Sequence, residues 1–371
     1  MKRNNQKAIL LLLGCLFFSE SFGQITFQKI ISGSNSDAGI SIHQTPDMGY
    51  LLQANSGTPF ASNLEDIYLV KMDSIGTVLW DKLYGGTDGD YYAYSSIQTD
   101  DGGFILSGLK IISSTNYQTF LIKTNSTGDT LWTKVYGGTG DNKGIQFTQT
   151  NDGGYIIVGT SADFDTSSSC APFACTDVFL IKTDSIGDTL WCRAYGGSDY
   201  DFGSDVQQTP DGGYIVLGST RSFGAGSDDI YLIKTNAAGD LLWTRTYGGA
   251  PNDGGGTIRV TADSGFIIAG STSSFGAGSY DAFLLKTDSL GTIDWSKTYG
   301  GVEADSWGSV EQTSDGGYIL GGSHGVGAFD SECLAMKTDM NGDTLWTKAY
   351  RIHNRGGITS MQSTADGGYI C

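Results

Sequence analysis

Residues 200–249 read YDFGSDVQQTPDGGYIVLGSTRSFGAGSDDIYLIKTNAAGDLLWTRTYGG and contain one complete unit of the pattern that predicts the fold. It holds four short segments rich in β-branched and aromatic residues, each bounded by turn residues. The first ends at the turn Pro210-Asp211-Gly212-Gly213, and the second, Tyr214-Ile215-Val216-Leu217, is apolar on both faces. The third ends at a hairpin in which Gly239 is expected to supply the residue with positive φ. The stretch therefore predicts four antiparallel strands.

The same pattern recurs from residue 27 to the end of the chain. One landmark is the aspartate of the Asp-Gly-Gly turn, which stands at positions 47, 101, 152, 211, 263, 315 and 366. The other is an aromatic residue that marks repeats starting near 27, 80, 132, 191, 243, 295 and 346. The turn aspartates are 51 to 59 residues apart. Periods of this size are typical of propellers and solenoids.

Seven four-stranded repeats predict an all-β fold, a seven-bladed β-propeller of four-stranded antiparallel blades. Each sheet has two apolar faces, and only packing against both neighbouring blades buries both of them. Glycine supplies 55 of the 371 residues, which excludes a solenoid of helices because each interior glycine costs a helix about 1 kcal/mol. The tryptophans of the fourth strands are expected to anchor one blade on the next.

The last blade is predicted to be incomplete. Residues 355–371 contain its first strand and part of its second, and residues 25–33 look like a fourth strand that closes the ring. Its third strand is missing, which would leave two unpaired sheet edges. We therefore expect the sequence to be truncated at its C-terminal end.

The first 23 residues have the pattern of a signal peptide. A basic start is followed by an apolar segment over residues 8–18, and small residues at Ser21 and Gly23 precede a cleavage site after Gly23. The alternative is a lipoprotein signal that ends at Cys15. Residues 24–371 would then form a single propeller domain. No later stretch approaches the ~18 apolar residues of a membrane span, so we predict a secreted or outer-surface location.

Charge and cysteine content restrict the partners. The chain has 22 Lys and Arg against 40 Asp and Glu, a net charge of −18. Nucleic acid is therefore not expected as a partner, because the phosphate backbone would repel the chain. Cys170 and Cys175 lie close together in a loop peculiar to the third repeat, and they predict a local disulfide outside the cytosol. The chain is expected to be a monomer or part of a larger surface protein.

The repeats resemble known propellers. A second strand ending in glycine, as in Leu320-Gly321-Gly322, a tyrosine-bearing third strand and a tryptophan on the fourth strand resemble the Kelch layout. Units of the form Trp-x-x-x-Tyr-Gly-Gly…Thr-x-Asp-Gly-Gly-Tyr…Lys-Thr-Asp are similar to those of bacterial secreted β-propeller repeat proteins. The resemblance implies the fold and leaves the function open, because such repeats serve many roles. In that class a C-terminal sorting domain often follows the propeller, and none is visible here.

Two enzyme-associated propellers are also similar in their hairpins. The stretch from Asp184 to Trp191 has the glycine-to-tryptophan spacing of quinoprotein dehydrogenase repeats, but it is one residue shorter and lacks the threonine. Sialidase-type Asp boxes match less well. We carry over no catalytic residue from either family, and we find no nucleophile, metal-ligand or phosphate-loop motif.

Acidic residues recur in the loops of one predicted face. One circle enters the first strand of each blade, and its candidate calcium ligands are Asp90, Asp141, Asp201, Asp253 and Asp305. A second circle precedes the third strand, at Asp66, Asp177, Asp229, Asp281 and Glu332. The alternative is that each aspartate caps turn amides at the same place in every blade, and the regular repetition favours it.

Variable positions supply the other candidate binding residues. The innermost strand varies at a position expected to line the axial channel, occupied by His43, Ile97, Thr148, Gln207, Arg259, Glu311 and Gln362. Candidate ligand-binding residues of the loop face are Asp163, Asp165, Asp201, Phe223, Phe275 and Trp307. Aromatic residues beside carboxylates are common in carbohydrate sites. The alternative is that they only plug the wedges between blades.

These patterns favour a non-catalytic binding or scaffold propeller that is secreted or displayed on the cell surface. Its ligand would be a carbohydrate or a protein, with no catalytic residue and no cofactor expected. The alternatives are an exported enzyme, polysaccharide-active or quinoprotein-like, and a calcium-stabilised spacer of a surface adhesin. The lysines at the ends of the third strands recur too regularly for catalysis and predict a structural ion pair or an exposed stem.

Overall fold

The computed structural model describes residues 10–13, 27–31, 37–57, 65–85, 90–113, 116–138, 141–162, 176–327, 330–351 and 356–371. All the regular secondary structure assigned in these ranges is β-strand. The chain divides into two compact units, residues 1–136 with 359–371 and residues 137–358. No helix among the described residues is long and apolar enough to cross a membrane.

The first unit begins with a two-stranded sheet and two four-stranded blades. The two-stranded sheet pairs β1 (Leu10–Leu13) with β2 (Gln28–Ile31). The first blade contains β3 (Asp37–Gln44), β4 (Tyr50–Gly57), β5 (Glu65–Met72) and β6 (Val78–Tyr84). The second contains β7 (Asp90–Gln98), β8 (Phe104–Ser113), β9 (Asn116–Thr124) and β10 (Thr130–Tyr136). The strand β1 lies within the predicted signal peptide.

The second unit contains four blades of the same antiparallel order. The third blade contains β11 (Asn142–Gln149), β12 (Tyr155–Ser161), β13 (Asp177–Thr183) and β14 (Thr189–Tyr195). The fourth contains β15 (Asp201–Gln208), β16 (Tyr214–Thr220), β17 (Asp229–Thr235) and β18 (Leu241–Tyr247). The fifth contains β19 (Asp253–Val260), β20 (Phe266–Thr272), β21 (Asp281–Thr287) and β22 (Ile293–Tyr299). The sixth contains β23 (Asp305–Gln312), β24 (Tyr318–Gly327), β25 (Asp330–Thr338) and β26 (Thr344–Tyr350).

The expectation of seven blades is wrong for the described residues, which form six four-stranded blades. The seventh repeat contributes only the hairpin β27 (Gln362–Ser363) and β28 (Tyr369–Ile370), which belongs to the first unit. A blade needs four paired strands, and the described residues of this repeat supply two. Its Asp-Gly-Gly turn nevertheless has the same backbone hydrogen bonds as the others, with Thr364 N donating to Gly368 O at 2.9 Å.

The hairpin and β2 contact the first blade in the way that one blade contacts the next. Ala365 N donates to Gln44 Oε1 at 2.8 Å, and the equivalent bond joins Asn151 N to Gln208 Oε1 in the second unit. The ring of Phe27, just before β2, lies 5.6 Å from the Tyr50 ring in an edge-on arrangement. These contacts place β2 in the fourth-strand position, as the sequence predicts.

The middle strands of each blade form the core. All residues of β17 are buried, as are those of β13 and β21, because both faces of a blade pack on neighbours. The Trp243 ring of the fourth blade lies 6.4 Å from Phe266 of the fifth. Gly291 in the next hairpin has φ +75°, and a Cβ there would lie 3.0 Å from the Trp243 ring. The tryptophans thus anchor blade on blade, as predicted.

A buried lysine ends the third strand of every complete blade and pairs with the turn aspartate. Lys234 Nζ lies 2.9 Å from Asp211 Oδ2 and donates to Thr235 O at 2.9 Å. Burial acts to raise the pKa of Asp211, but hydrogen bonds from Thr209, Lys234 and Gly213 outweigh it and lower that pKa to about 2. The recurring lysine therefore forms the predicted structural ion pair.

Candidate binding site

A cavity of about 550 Å³ opens in the first unit at the inner ends of its blades. We call it the Gln98 pocket. It is lined by His43, Gln44, Pro46, Ile97, Gln98, Thr99, Asp100, Gly102 and Gln362. Three of these, His43, Ile97 and Gln362, belong to the variable channel-lining set that the sequence predicts. The structure therefore brings part of that set together around one cavity.

The wall of the pocket is held by the Asp-Gly-Gly turn of the second blade. Thr99 Oγ1 donates to Asp101 Oδ1 at 2.7 Å, and Gly103 N donates to the same oxygen at 2.9 Å. The ammonium group of Lys123 lies 2.9 Å from the Asp101 carboxylate. Because the turn is fixed from three sides, the inner end of β7 is a rigid part of the pocket.

A glutamine before the turn normally ties two neighbouring blades together. Gln208 Nε2 donates to Gly212 O of its own turn at 3.3 Å, and its Oε1 accepts the Asn151 N–H of the preceding blade at 2.8 Å. Gln312 makes the same two bonds, to Gly316 O at 3.3 Å and from Ala262 N at 2.8 Å.

Gln98 makes only half of this connection. Its Nε2 donates to Gly102 O at 3.1 Å, but its Oε1 is buried without a hydrogen-bond partner among the described residues. The residue of the preceding turn is Pro46, which has no N–H to donate. In the fifth blade, where Pro210 stands in the preceding turn, the glutamine is replaced by Val260. No such replacement accompanies Pro46, and both Pro46 and Gln98 line the pocket. This mismatch is visible in the sequence only when neighbouring repeats are compared.

The channel-lining residues of the second unit have a different environment. Arg259 Nη1 donates to Asp205 Oδ2 at 2.8 Å, and Thr257 Oγ1 and Ile258 N donate to the same oxygen at 2.9 Å each. Asp205 is almost fully buried, so its carboxylate fixes the Arg259 side chain. Gln207 and Glu311 are half-buried on the equivalent strands.

The candidate calcium ligands of the second unit accept hydrogen bonds from nearby loop groups. Asp253 Oδ2 accepts from Gly249 N at 2.8 Å and from Ser274 Oγ at 2.5 Å. Asp201 accepts from Gly197 N and Ser222 Oγ, and Asp305 from Gly301 N and His324 Nδ1, while Asp141 pairs with Lys143. The side chain of Asp90 lies outside the described residues. These contacts fit the capping interpretation.

The two acidic circles meet at the junctions between blades of the second unit. The point where a Cβ on Gly196 would lie is 2.0 Å from Asp177 Oδ1 and 2.7 Å from Asp201 Oδ2. Burial raises the pKa of Asp201 against hydrogen bonds from Thr220, Ser222 and Gly197, and the charge of Asp177 adds to the rise. The described residues contain no group of three or more His, Cys, Asp or Glu side chains placed to hold a metal ion.

The predicted ligand-binding aromatics divide into exposed and buried residues. Phe223 and Phe275 are 44% and 51% exposed, and Phe223 borders a groove of about 430 Å³ with Arg193, Tyr231 and Asp240. Trp307 is only 3% exposed and packs in the core of the second unit, which suits the plugging interpretation for that residue. Asp201 is fully buried as well. Asp163, Asp165, Cys170 and Cys175 lie outside the described residues.

Comparison with known proteins gives partial matches. No family model matches the chain. The regulatory protein FlaEY of Caulobacter vibrioides is 28% identical over 184 residues, 43% of this chain and 19% of that protein. An uncharacterized WD repeat-containing protein of Acanthamoeba polyphaga mimivirus is 25% identical over 196 residues, 43% of this chain and 14% of that protein. The chain thus spans about a fifth or less of the length of these relatives.

A solved structure supports the fold. The WD40 domain of Neurospora crassa Pan2 matches with a TM-score of 0.55 at 10% identity, over 90% of this chain and 88% of that chain. At this identity the match bears on architecture alone. The chain therefore has an all-β propeller fold, built of WD40-like repeats with four-stranded antiparallel blades.

Proposed function

We propose that the chain is the non-catalytic binding propeller of an exported protein and that it binds a protein segment in the Gln98 pocket. The observation that carries the proposal is the pocket itself. It gathers variable inner-strand residues at one place, whereas the Thr-x-Asp-Gly-Gly turns around it repeat regularly. Cavities with a few convergent polar groups are the usual location of ligand sites.

The chemistry of the pocket favours a segment rich in hydrogen-bond donors. Asp100 contributes an exposed carboxylate, and Gln362 contributes an amide whose Oε1 also accepts the Gln44 N–H at 2.9 Å. The chain carries a net charge of −18, which attracts cationic ligands and repels anionic ones. A peptide segment with lysine or arginine side chains offers both charge and donors.

The proposal is tested by probing labelled protein on a peptide array and a glycan array. Peptides that bind the wild type should lose binding to Asp100→Lys, because this change reverses the exposed charge at the pocket. Ala262→Lys is the matched control, since it changes the same turn position in the fifth blade and Ala262 is not among the residues that line the pocket. Peptide binding that both variants retain, or lose equally, would contradict the assignment of the pocket.

A second candidate function, carbohydrate binding, is favoured by the groove beside Phe223. The half-exposed ring lies 5.7 Å from Tyr231, and Arg193 and Asp240 provide polar groups in the same groove. Exposed aromatic rings beside charged groups can stack on sugar rings and bond their hydroxyls. Glycan-array binding that Phe223→Ala removes and Phe275→Ala retains would support this function. Binding that both variants retain would remove the groove from consideration.

A further inference from the structure

The Gln98 pocket is lined by three glutamines, and two of them already use their side-chain oxygens. Gln44 Oε1 accepts the Ala365 N–H at 2.8 Å, and Gln362 Oε1 accepts the Gln44 N–H at 2.9 Å. Gln98 Oε1 has no donor among the described residues. Of these three oxygens, that of Gln98 is therefore the one left to accept a hydrogen bond from a ligand.

Gln98 Oε1 lacks a donor because of a single proline. In the fourth and sixth blades the equivalent oxygens, Gln208 Oε1 and Gln312 Oε1, each accept a turn N–H of the preceding blade at 2.8 Å. Pro46 stands at that turn position and has no N–H. Among the described residues the Gln98 side chain makes one hydrogen bond, from Nε2 to Gly102 O at 3.1 Å. Turning the amide into the pocket therefore loses one hydrogen bond and relieves a buried acceptor that has none.

A carboxylate lies two residues further along the chain. Asp100 is exposed and is the only carboxylate among the described residues that line the pocket. The neighbouring Asp101 is engaged by the Lys123 ammonium group, 2.9 Å away. The pocket thus offers a charged acceptor at Asp100 and a neutral one at Gln98. A ligand group that carries positive charge and several N–H donors would satisfy both.

We infer that Gln98 is the specificity-determining residue of the pocket and that, with Asp100, it binds an arginine side chain of a peptide ligand. The inference rests on the proposed function of the pocket and narrows the ligand to one side chain. A guanidinium is always charged and presents its N–H donors in a planar fork, so it can bond to both acceptors at once. A lysine ammonium is a compact point charge, for which Asp100 suffices. Gln98 therefore makes the pocket prefer arginine to lysine.

Three peptides blocked at both ends test this preference on the full chain. They are Gly-Gly-Arg-Gly-Gly and its versions with lysine or citrulline at the centre, each labelled with fluorescein. By fluorescence anisotropy the arginine peptide should bind saturably and about tenfold more tightly than the lysine peptide. The citrulline peptide keeps the planar N–H donors but lacks the charge, so it should bind more weakly than the arginine peptide. An arginine peptide that binds no better than the lysine peptide would overturn the inference.

The variant Pro46→Ala supplies the missing N–H and should tie Gln98 to the preceding turn, as in the other blades. It should reduce the preference for arginine to about twofold or less and change the affinity for the lysine peptide by less than about twofold. Pro210→Ala is the matched control, since it changes the same turn position ahead of Val260, which has no side-chain acceptor. It should keep the full preference. An unchanged preference in Pro46→Ala would overturn the role of Gln98.

Thermal denaturation checks the same contact without a ligand. Pro46→Ala should change the melting temperature more favourably, by about 2 °C, when Gln98 is present than in the Gln98→Val background. The reason is that only Gln98 can accept the new N–H. Equal changes in the two backgrounds would contradict the inference, whatever the peptides do.

The variant Asp100→Lys separates this inference from the proposed function. Binding of the arginine and lysine peptides should both be lost in Asp100→Lys, because the change reverses the charge that both peptides need. If that loss occurs and Pro46→Ala leaves the preference intact, the inference fails and the proposed function stands. Peptide binding that Asp100→Lys retains would contradict the proposed function itself.

Discussion

At the scale of single residues, the blades depend on a few side chains that repeat in every unit. The buried Lys234 ammonium group needs both Asp211 and the Thr235 carbonyl, because an uncompensated charge in the interior is costly. The turn aspartate in turn orders the backbone, since it accepts the Gly213 N–H at 2.9 Å. One carboxylate therefore joins the turn between the first two strands to the third strand.

The variant Asp211→Asn tests this pair through its pH dependence. The pKa of Asp211 is about 2 in the folded chain and 3.8 ordinarily, so the carboxylate stabilises the fold above about pH 4. That stabilisation is lost as the pH falls towards 2. We expect the variant to lose about 1 kcal/mol at pH 7, a figure discounted for the exposure of Asp211, and to approach wild type near pH 2. Thermal denaturation between pH 2 and 7 measures the difference, and a gap that does not change with pH would contradict the ion pair.

Two glycines of the fourth blade separate backbone strain from packing. Gly212 and Gly239 have φ of +82° and +77°, but a Cβ on Gly212 would meet no atom within 4 Å, whereas on Gly239 it would lie 2.8 Å from the Trp191 ring. We expect Gly212→Ala to cost about 1 kcal/mol, and Gly239→Ala to cost about 1–3 kcal/mol more through overpacking. Urea denaturation measures both. Equal losses would show that the tryptophan does not constrain the hairpin.

At the scale of elements, neighbouring blades are joined by the inner ends of their first strands. The glutamine of β15 or β23 bonds its own turn and the turn before it, so each blade holds the next in register. A proline in the preceding turn removes one bond. In β19 the sequence compensates with Val260, and in β7 it retains Gln98 beside the pocket.

Replacing the glutamine by valine should therefore cost more stability in one blade than in the other. Gln312→Val leaves the Ala262 N–H and the Gly316 carbonyl without this partner, and we expect a loss of about 1 kcal/mol in unfolding free energy. Gln98→Val removes an unsatisfied acceptor and should change the stability by less than about 0.5 kcal/mol. Chemical denaturation of the two variants provides the comparison. A larger loss for Gln98→Val would mean that Gln98 is more important than its contacts indicate.

The loops at the other ends of the strands allow a test of calcium. Asp253 accepts hydrogen bonds from Gly249 N and Ser274 Oγ, which fits a capping role. We expect the melting temperature to be unchanged by EDTA or by millimolar calcium, and Asp253→Ala to lower the unfolding free energy by about 1–3 kcal/mol. A calcium-dependent rise in melting temperature that Asp253→Ala abolishes would restore the calcium hypothesis.

At the scale of the whole molecule, the N-terminal segment carries the prediction of export. A basic, apolar start is the pattern of a signal peptide, and the strand β1 lies inside that start. Removal of residues 1–23 would therefore also remove β1, which pairs with β2.

We expect the protein exported by a bacterial host to begin at Gln24, which intact-mass measurement and N-terminal peptide mapping would show. Cys15→Ala should leave processing unchanged, because the predicted cleavage site follows Gly23 and does not involve Cys15. Loss of processing in Cys15→Ala, with a lipid mass on the wild-type protein, would instead establish the lipoprotein alternative.

The amino-acid pattern alone is enough to predict the strands, the turns and the repeat. These depend on local physical chemistry: alternating or continuous apolar residues select strands, and aspartate and glycine select turns. The blade-to-blade packing of the fourth-strand tryptophans and the ion pairs of the third-strand lysines are predictable for the same reason, since each residue recurs at one place in the repeat.

Only the folded chain shows which residues of neighbouring blades come into contact. Trp307 is buried and Asp177 adjoins Asp201. Among the described residues the Gln98 Oε1 has no donor, because Pro46 stands one repeat earlier where the turns before Gln208 and Gln312 present an N–H. Such contacts join residues tens of positions apart, so they depend on how one blade packs against the next. The Gln98 pocket follows from this packing, which the pattern within a single repeat does not contain.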